Sequence, residues 1–179
     1  MLTPPACLRF VALGDSYTIG TSVAERERWP DQLVAALDHT GARPTLDLVA
    51  NLAVNGYTSQ DVIDRELPEL VALQPDFVTL LVGVNDVVQG VSPETYERNA
   101  AAILDELLRL VSANRVIVVT TPDYTVTPAG SNYGDPVRQA ATIRAANAVL
   151  SSLAEARGIR VVDIHDLSLR ASMDPSLVA

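Results

Sequence analysis

Apolar residues along this chain fall into two alternating patterns. Short runs rich in β-branched and aliphatic residues occur at 8–13, 46–50, 77–82, 116–120 and 159–163, each with the length and composition of a strand. The third and fourth runs are almost wholly apolar, the pattern of central strands covered on both faces. Between the runs, apolar positions repeat at spacings of three and four. Tyr96, Ala100, Ile103, Leu107 and Leu110 form one such stripe, preceded by Ser92 as N-cap, Pro93 at the first helical position and Glu94 behind it. Asp135 and Pro136 open a second helix in the same way. Its stripe is Ile143, Ala146, Leu150 and Leu153, and Gly158 stands where it should stop. Segments 29–37 and 59–73 read as further helices, with Pro68 expected to kink or divide the second. This alternation predicts an α/β fold, a three-layer α/β/α domain around a parallel five-stranded sheet with right-handed crossovers. The longest stretch without a period is 122–135, which holds Tyr124, Gly130, Tyr133 and Gly134. A loop of that length is either functional or mobile.

At 179 residues, with no repeat and no linker-like tract, the chain has the size of one domain. Hydrophobic residues make up 48%, enough for a real core and too many for intrinsic disorder. Twenty-two acidic against 13 basic residues leave a net charge of −9. That balance argues against a nucleic-acid backbone or an anionic membrane surface as partner. No apolar run reaches the ~18–20 residues of a membrane span. Residues 1–5 lack the basic and apolar regions of a signal peptide. These features predict a soluble, cytoplasmic domain acting on a small or neutral molecule. The single cysteine, Cys7, excludes an internal disulfide and reads as a buried or inert thiol, and no Cys/His cluster suits a structural zinc site.

In open parallel sheets, ligands bind beyond the carboxyl ends of the strands. Gly14-Asp15-Ser16-Tyr17 follows the first strand and Asn51-Leu52-Ala53-Val54-Asn55-Gly56 the second. Gly83-Val84-Asn85-Asp86 follows the third and Thr121-Pro122-Asp123 the fourth. Ser16, on a tight strand-to-helix turn, can serve as a nucleophile with nearby amides binding an oxyanion. Alternatively Asp15 or Ser16 satisfies backbone donors in the turn. Gly56 either lets a carbonyl oxygen approach a backbone N–H or forms a plain turn with positive φ. Asn85 either offers its side-chain N–H to the same oxygen or makes an Asx-turn, while Asp86 fixes the loop. Asp15, Tyr124 and Tyr133 are candidate substrate contacts. Of the two histidines, His39 ends a predicted helix and should be solvated. His165 follows the last strand by two residues and can reach the functional edge, as a base or as a structural residue. Trp29-Pro30 reads as a helix start packed on the core.

Gly-Asp-Ser after strand one, an Asn…Gly block after strand two and Gly-x-Asn-Asp after strand three stand in order, each behind its own strand. Together they resemble the GDSL esterases of the SGNH hydrolase superfamily over about residues 8–163. The resemblance implies a doubly wound, flavodoxin-like sheet of order 2-1-3-4-5 and cleavage of carboxylic esters or thioesters, sugar acetates among them, through an acyl-enzyme. It casts Ser16 as nucleophile, with the N–H groups of Ser16 and Gly56 and the side-chain amide of Asn85 as the oxyanion hole. The implied substrate is a small-molecule ester, and no cofactor or metal is implied. One block departs from the family. An Asp-x-x-His pair should follow the last strand, with His as base. Asp163-Ile164-His165 has the wrong spacing, and Asp174-Pro175-Ser176-Leu177 ends in Leu.

Two expectations follow from that departure. Either residues 1–179 are a single domain cut short, with the pair beyond Ala179, or the base is absent or replaced. The first is favoured, because a histidine directly behind strand five is tied to the sheet. A chain without the base is expected to turn over esters poorly, since an unassisted serine hydroxyl is a weak nucleophile. The alternative from a different class is a non-catalytic binding module that kept the pocket and lost the base. A nucleotide or flavin binder is disfavoured, because neither Gly-x-Gly-x-x-Gly nor Gly-x-x-x-x-Gly-Lys occurs. Acyl length, alcohol and oligomeric state are not written in these motifs.

Overall fold

The computed structural model describes residues 7–174. The sequence readings of residues 1–5 and 175–177 therefore lie outside the described residues. The strands are β1 (Cys7–Gly14), β2 (Thr45–Asn51), β3 (Phe77–Leu81), β4 (Val116–Val119) and β5 (Arg160–Val162). They form one sheet in the order β2-β1-β3-β4-β5, every pair parallel, as the resemblance implies. Cys7 opens β1 and is exposed, so of the expectation of a buried or inert thiol the buried half fails, because the residue stands at the strand's outer end, before the run of buried positions begins.

Alternate residues of a strand face opposite sides, so β1, β2 and β3 feed two cores. Val11, Leu13, Val78, Leu80 and Val118 point into the larger one. There they meet α4 (Leu67–Leu73), α6 (Pro93–Leu110) and the C-terminal half of α7 (Pro136–Glu155). Leu8, Phe10 and Ala12 point the other way and pack with Leu46 against α2 (Trp29–Thr40).

The helices start where their caps predict. Ser92 Oγ accepts the Thr95 N–H at 3.2 Å, and Asp135 accepts the N–H groups of Val137 and Arg138. Along α6 the expected stripe is buried up to Leu107, with Leu104 added, while Leu110 emerges at the helix end. Segment 59–73 is divided, as Pro68 requires. α3 (Ser59–Asp61) leads into a wider π turn, Val62–Glu66, and then into α4. Proline brings no N–H and crowds the carbonyl four residues back. The helix widens just ahead of it, and the Leu67 N–H reaches back five residues to the Val62 carbonyl. Among the described residues no helix is long and apolar enough to cross a membrane.

Leu104 and its neighbour Asp105 separate core from surface energetics. Leu104 is fully buried in the larger core. Leu104→Ala should destabilise by roughly 2–5 kcal/mol, seen as a lower urea midpoint at unchanged m. Asp105 meets Arg157 Nε at 2.7 Å but is 64% exposed. Asp105→Ala should move the same midpoint little.

Candidate active site

β1 ends at Gly14, in register with Leu81 of β3. Its φ is +144°, and a Cβ there would lie 2.1 Å from the Leu81 carbonyl oxygen, so only glycine keeps the two strands paired to their ends. Asp15 follows as N-cap of α1 (Ser16–Ile19), its carboxylate accepting the Tyr17 N–H at 3.0 Å. Ser16 is therefore the first residue of a helix, where the N–H has no intrahelical partner. Among the described residues, neither its N–H nor its hydroxyl is bonded within the protein.

The loop after β2 is tied to this turn. Asn51 Nδ2 donates to the Thr18 carbonyl at 2.8 Å, and Asn51 Oδ1 accepts the Ala53 N–H at 3.3 Å. Gly56 sits in a turn with φ +87°, its N–H without a protein acceptor among the described residues. The segment after β3 becomes α5 (Val84–Gln89) and is laced to the same loop. Asn85 Nδ2 donates to the Tyr57 carbonyl at 2.9 Å, and Gln89 Nε2 to the Gly56 carbonyl at 3.1 Å. Asp86 is buried and accepts both the Ser59 N–H at 2.9 Å and the Ser59 hydroxyl at 2.5 Å, the loop-fixing role expected of it. Asn99 of α6 donates to the same hydroxyl at 3.0 Å.

A cleft of about 760 Å³ opens between these loops and segment 122–135. Ser16, Tyr17, Asn55 and Asn85 line it from the sheet edge, and Tyr124, Tyr133 and Leu167 are among the apolar residues facing it. Segment 122–135 is less irregular than its sequence suggests. It contains two short 3₁₀ turns, Tyr124–Val126 and Gly130–Tyr133. The Tyr124 hydroxyl donates to Gln139 Oε1, Gln139 Nε2 donates to the Tyr133 carbonyl, and the two tyrosine rings meet edge to face at 5.5 Å.

Of the sequence-picked residues, Ser16, Asn85, Tyr124 and Tyr133 share this one cleft, and Gly56 directly follows its lining residue Asn55. Asp15 is corrected. Its carboxyl is fully buried beneath the cleft as a helix cap, so it is not in position to touch a substrate. His165 reaches the right edge, but its ring lies behind the wall. Nδ1 is 3.2 Å from Asp166 Oδ1, Nε2 is 3.8 Å from Asp123 Oδ2, and the residue is 7% exposed. Its neighbours Ile164, Leu167 and Ser168 line the cleft in its place. His39 is exposed in the last turn of α2. Sequence reasoning missed Arg28 as a lining residue and read Trp29 as core alone. Trp29 does both, packing on the β1–β2 core and lining the cleft.

Carboxyl groups crowd beneath the Ser16 turn. Burial pushes Asp15 up to about 7 and Glu66 up to about 8, despite the backbone N–H groups that each accepts. Asp86 is raised for the same reason, opposed by its two bonds from Ser59. Asp163 moves the other way, held low by the His165 N–H and the Thr120 hydroxyl.

The sequence matches the GDSL-like lipase/acylhydrolase family over residues 12–177. An arylesterase of Vibrio mimicus is 29% identical over 130 residues, 71% of this chain and 60% of that protein, so the match spans well under the relative's full length. Among solved structures, an α/β hydrolase from the metagenome of Lake Arreo, Spain, superposes with a TM-score of 0.74 at 24% identity, over 96% of this chain and 84% of the other. An acetylxylan esterase from Geobacillus stearothermophilus gives 0.73 at 22%, with the same coverage. At these identities the two likenesses establish the fold.

The raised carboxyl groups give stability a pH dependence of definite sign. Between the ordinary carboxylate range and about 8, the folded chain holds protons on Asp15 and Glu66 that the unfolded chain has released. These groups therefore stabilise the fold fully below about pH 4, and their contribution is lost as pH rises toward 8. Melting temperature should fall across that window, and Glu66→Gln, which cannot ionise, should flatten the slope.

Proposed function

The chain belongs to the GDSL-like lipase/acylhydrolase family, and on that premise we propose that it is a serine esterase cleaving carboxylic esters or thioesters through an acyl-enzyme on Ser16. The observation that carries this reading is the convergence of three sheet-edge segments on one cleft. The unbonded Ser16 hydroxyl lines it beside Asn85, and the free N–H of Gly56 lies next to the lining residue Asn55.

In the proposed reaction, Ser16 Oγ attacks the ester carbonyl carbon while a base takes its proton. The carbonyl oxygen becomes an oxyanion and accepts hydrogen bonds from the N–H groups of Ser16 and Gly56 and from Asn85 Nδ2. Asn85 suits this role because a side-chain amide has two N–H bonds. The Tyr57 carbonyl takes one, which fixes the side chain and leaves the other for the substrate. Donors already in place stabilise developing charge without reorganising. Collapse expels the alcohol or thiol, which takes the proton back from the base, and water then releases the acyl group by the same route. The apolar wall around Tyr17, Val84, Tyr124 and Leu167 suits an uncharged acyl or alcohol group.

Among the described residues no histidine lines the cleft, so the base is the one part of this machinery without an assigned residue. His165, with a carboxylate facing each ring nitrogen and its ring outside the cleft wall, fits a structural role. Catalytic mutants of the Geobacillus acetylxylan esterase replace one serine and one histidine by alanine, which is the chemistry proposed here.

The test is p-nitrophenyl ester hydrolysis by the full-length protein. Ser16→Ala should abolish turnover at unchanged melting temperature, and Asn85→Ala should lower kcat by about 10²–10³. Near wild-type turnover by Ser16→Ala refutes the assignment. A folded full-length protein that binds but never hydrolyses esters supports the binding-module reading instead. His165→Ala should keep most of kcat, and if it abolishes turnover, His165 is the base.

Segment 122–135 should set chain-length preference. Tyr133→Ala or a shortened 127–134 should shift the acetyl-to-palmitoyl profile more than the melting temperature. An unchanged profile speaks against this role.

A further inference from the structure

Glu66 occupies a core position. Val62, Glu66 and Leu70 follow one another at a spacing of four and all three are buried, whereas Asp64 and Glu69 beside them are exposed. A leucine would fill such a site at no electrostatic cost, so a carboxyl group there calls for a reason. One oxygen supplies it. Glu66 Oε2 accepts the Gly14 N–H at 2.9 Å, across 52 residues of chain. Gly14 stands two residues before Ser16, at the last step of β1. On the far side of the turn, Asp15 caps α1 through the Tyr17 N–H. The turn that presents Ser16 is thus held at both ends by a buried carboxyl group. Glu66 itself does not line the cleft.

We propose that Glu66 is a positioning residue for the Ser16 nucleophile, acting through the Gly14 N–H; the inference rests on the assignment of Ser16 above. The π turn is part of the device, since Glu66 is its last residue, directly ahead of α4. The carboxyl group needs no charge for this task. The charged groups facing it are Asp15 on the nucleophile turn and Asp61 on its own helical segment, and no cation stands among them. Asp86 lies further on, beside Asp15. A neutral acid accepts with one oxygen and carries its proton on the other, and Glu66 Oε1 has no partner among the described residues. An amide can take over the accepting role. An apolar side chain of similar volume cannot, and would leave the Gly14 N–H buried and unpaired.

The test compares Glu66→Gln and Glu66→Met with the wild type in the full-length protein, by p-nitrophenyl acetate kinetics and by the ¹H–¹⁵N signal of Gly14. Glu66→Met should lower kcat by roughly 10- to 100-fold with KM held within about twofold, the mark of a displaced nucleophile. Glu66→Gln should restore kcat to within about threefold of wild type. The Gly14 amide should shift with pH in the wild type as Glu66 ionises, and that shift should vanish in Glu66→Gln while any effect of Asp15 persists. A folded Glu66→Met with wild-type kcat overturns the proposal, as does a Glu66→Gln as impaired as Glu66→Met. If Glu66→Met does not fold, the Gly14 signal decides, and an identical titration in wild type and Glu66→Gln overturns it. A full-length protein without ester turnover, or an active Ser16→Ala, removes the parent assignment and this one with it. An active wild type indifferent to Glu66 removes this one alone.

Discussion

The backbone contact between Gly14 and Leu81 is the constraint on which the sheet edge depends. Parallel strands bring their carboxyl ends to one side, but the loops that follow meet only if neighbouring strands end at the same level. β1 and β3 stay paired through their last residues because nothing projects from Gly14 toward the Leu81 oxygen, 2.1 Å from where a Cβ would stand. The Ser16 turn and the Asn85 segment therefore leave the sheet side by side. The β2 loop is then drawn in by side-chain amides, Asn51 holding it to α1 and Asn85 holding it to α5.

Beneath this edge lie three buried carboxyl groups, Asp15, Glu66 and Asp86, none with a cation for partner among the described residues. Their oxygens answer a common need. Where strands turn into helices, the first N–H groups find no acceptor in ladder or helix, and a buried donor left unpaired is costly. Asp15 serves Tyr17, Glu66 serves Gly14 and Asp86 serves Ser59. Desolvation raises each acid in return, so the edge is built from acceptors that hold protons readily rather than from ion pairs. This arrangement fits a chain whose net charge of −9 leaves few cations to spare for its interior.

The strands and the caps of α6 and α7 were legible because they follow from local rules, the apolar runs of covered strands and hydrogen bonding at a helix start, whereas the order of the strands in the sheet came from the family resemblance and not from the pattern. That Ser16 and Asn85 meet at one cleft was legible because each lies in a short segment behind its own strand, where chain order fixes place; Gly56, five residues past β2, comes only next to a lining residue. What stayed hidden depends on distant partners. For Asp15 the cap itself was one of the readings the sequence offered, its partner being only two residues on, but the complete burial that keeps its carboxyl from a ligand comes from elements packed over it. Glu66 passes for a solvated helix residue until Gly14 arrives from 52 positions away. Trp29 satisfies the core pattern, and its second contact, with the cleft, appears only when segment 122–135 folds across from it. His165 is a similar case, since Asp123, which faces its ring, comes from the loop after another strand.

The hydrogen bonds that run from Asn99 to Ser59 to Asp86 bear on how the molecule fluctuates. α3 has three residues and α5 six, both too short to persist on their own. Each is anchored through this buried relay to α6, whose inner face is fully sealed in the larger core. Short segments next to a binding cleft ordinarily fray, exchanging their amide protons with water through small local openings. Here an opening of α5 must break the relay and uncover a buried carboxyl group, so Val84–Gln89 is bound into the same cooperative unit as the centre of α6. The amides beside Asn85 should then exchange at the pace of global unfolding, while mobility near the cleft is left to the opposite wall.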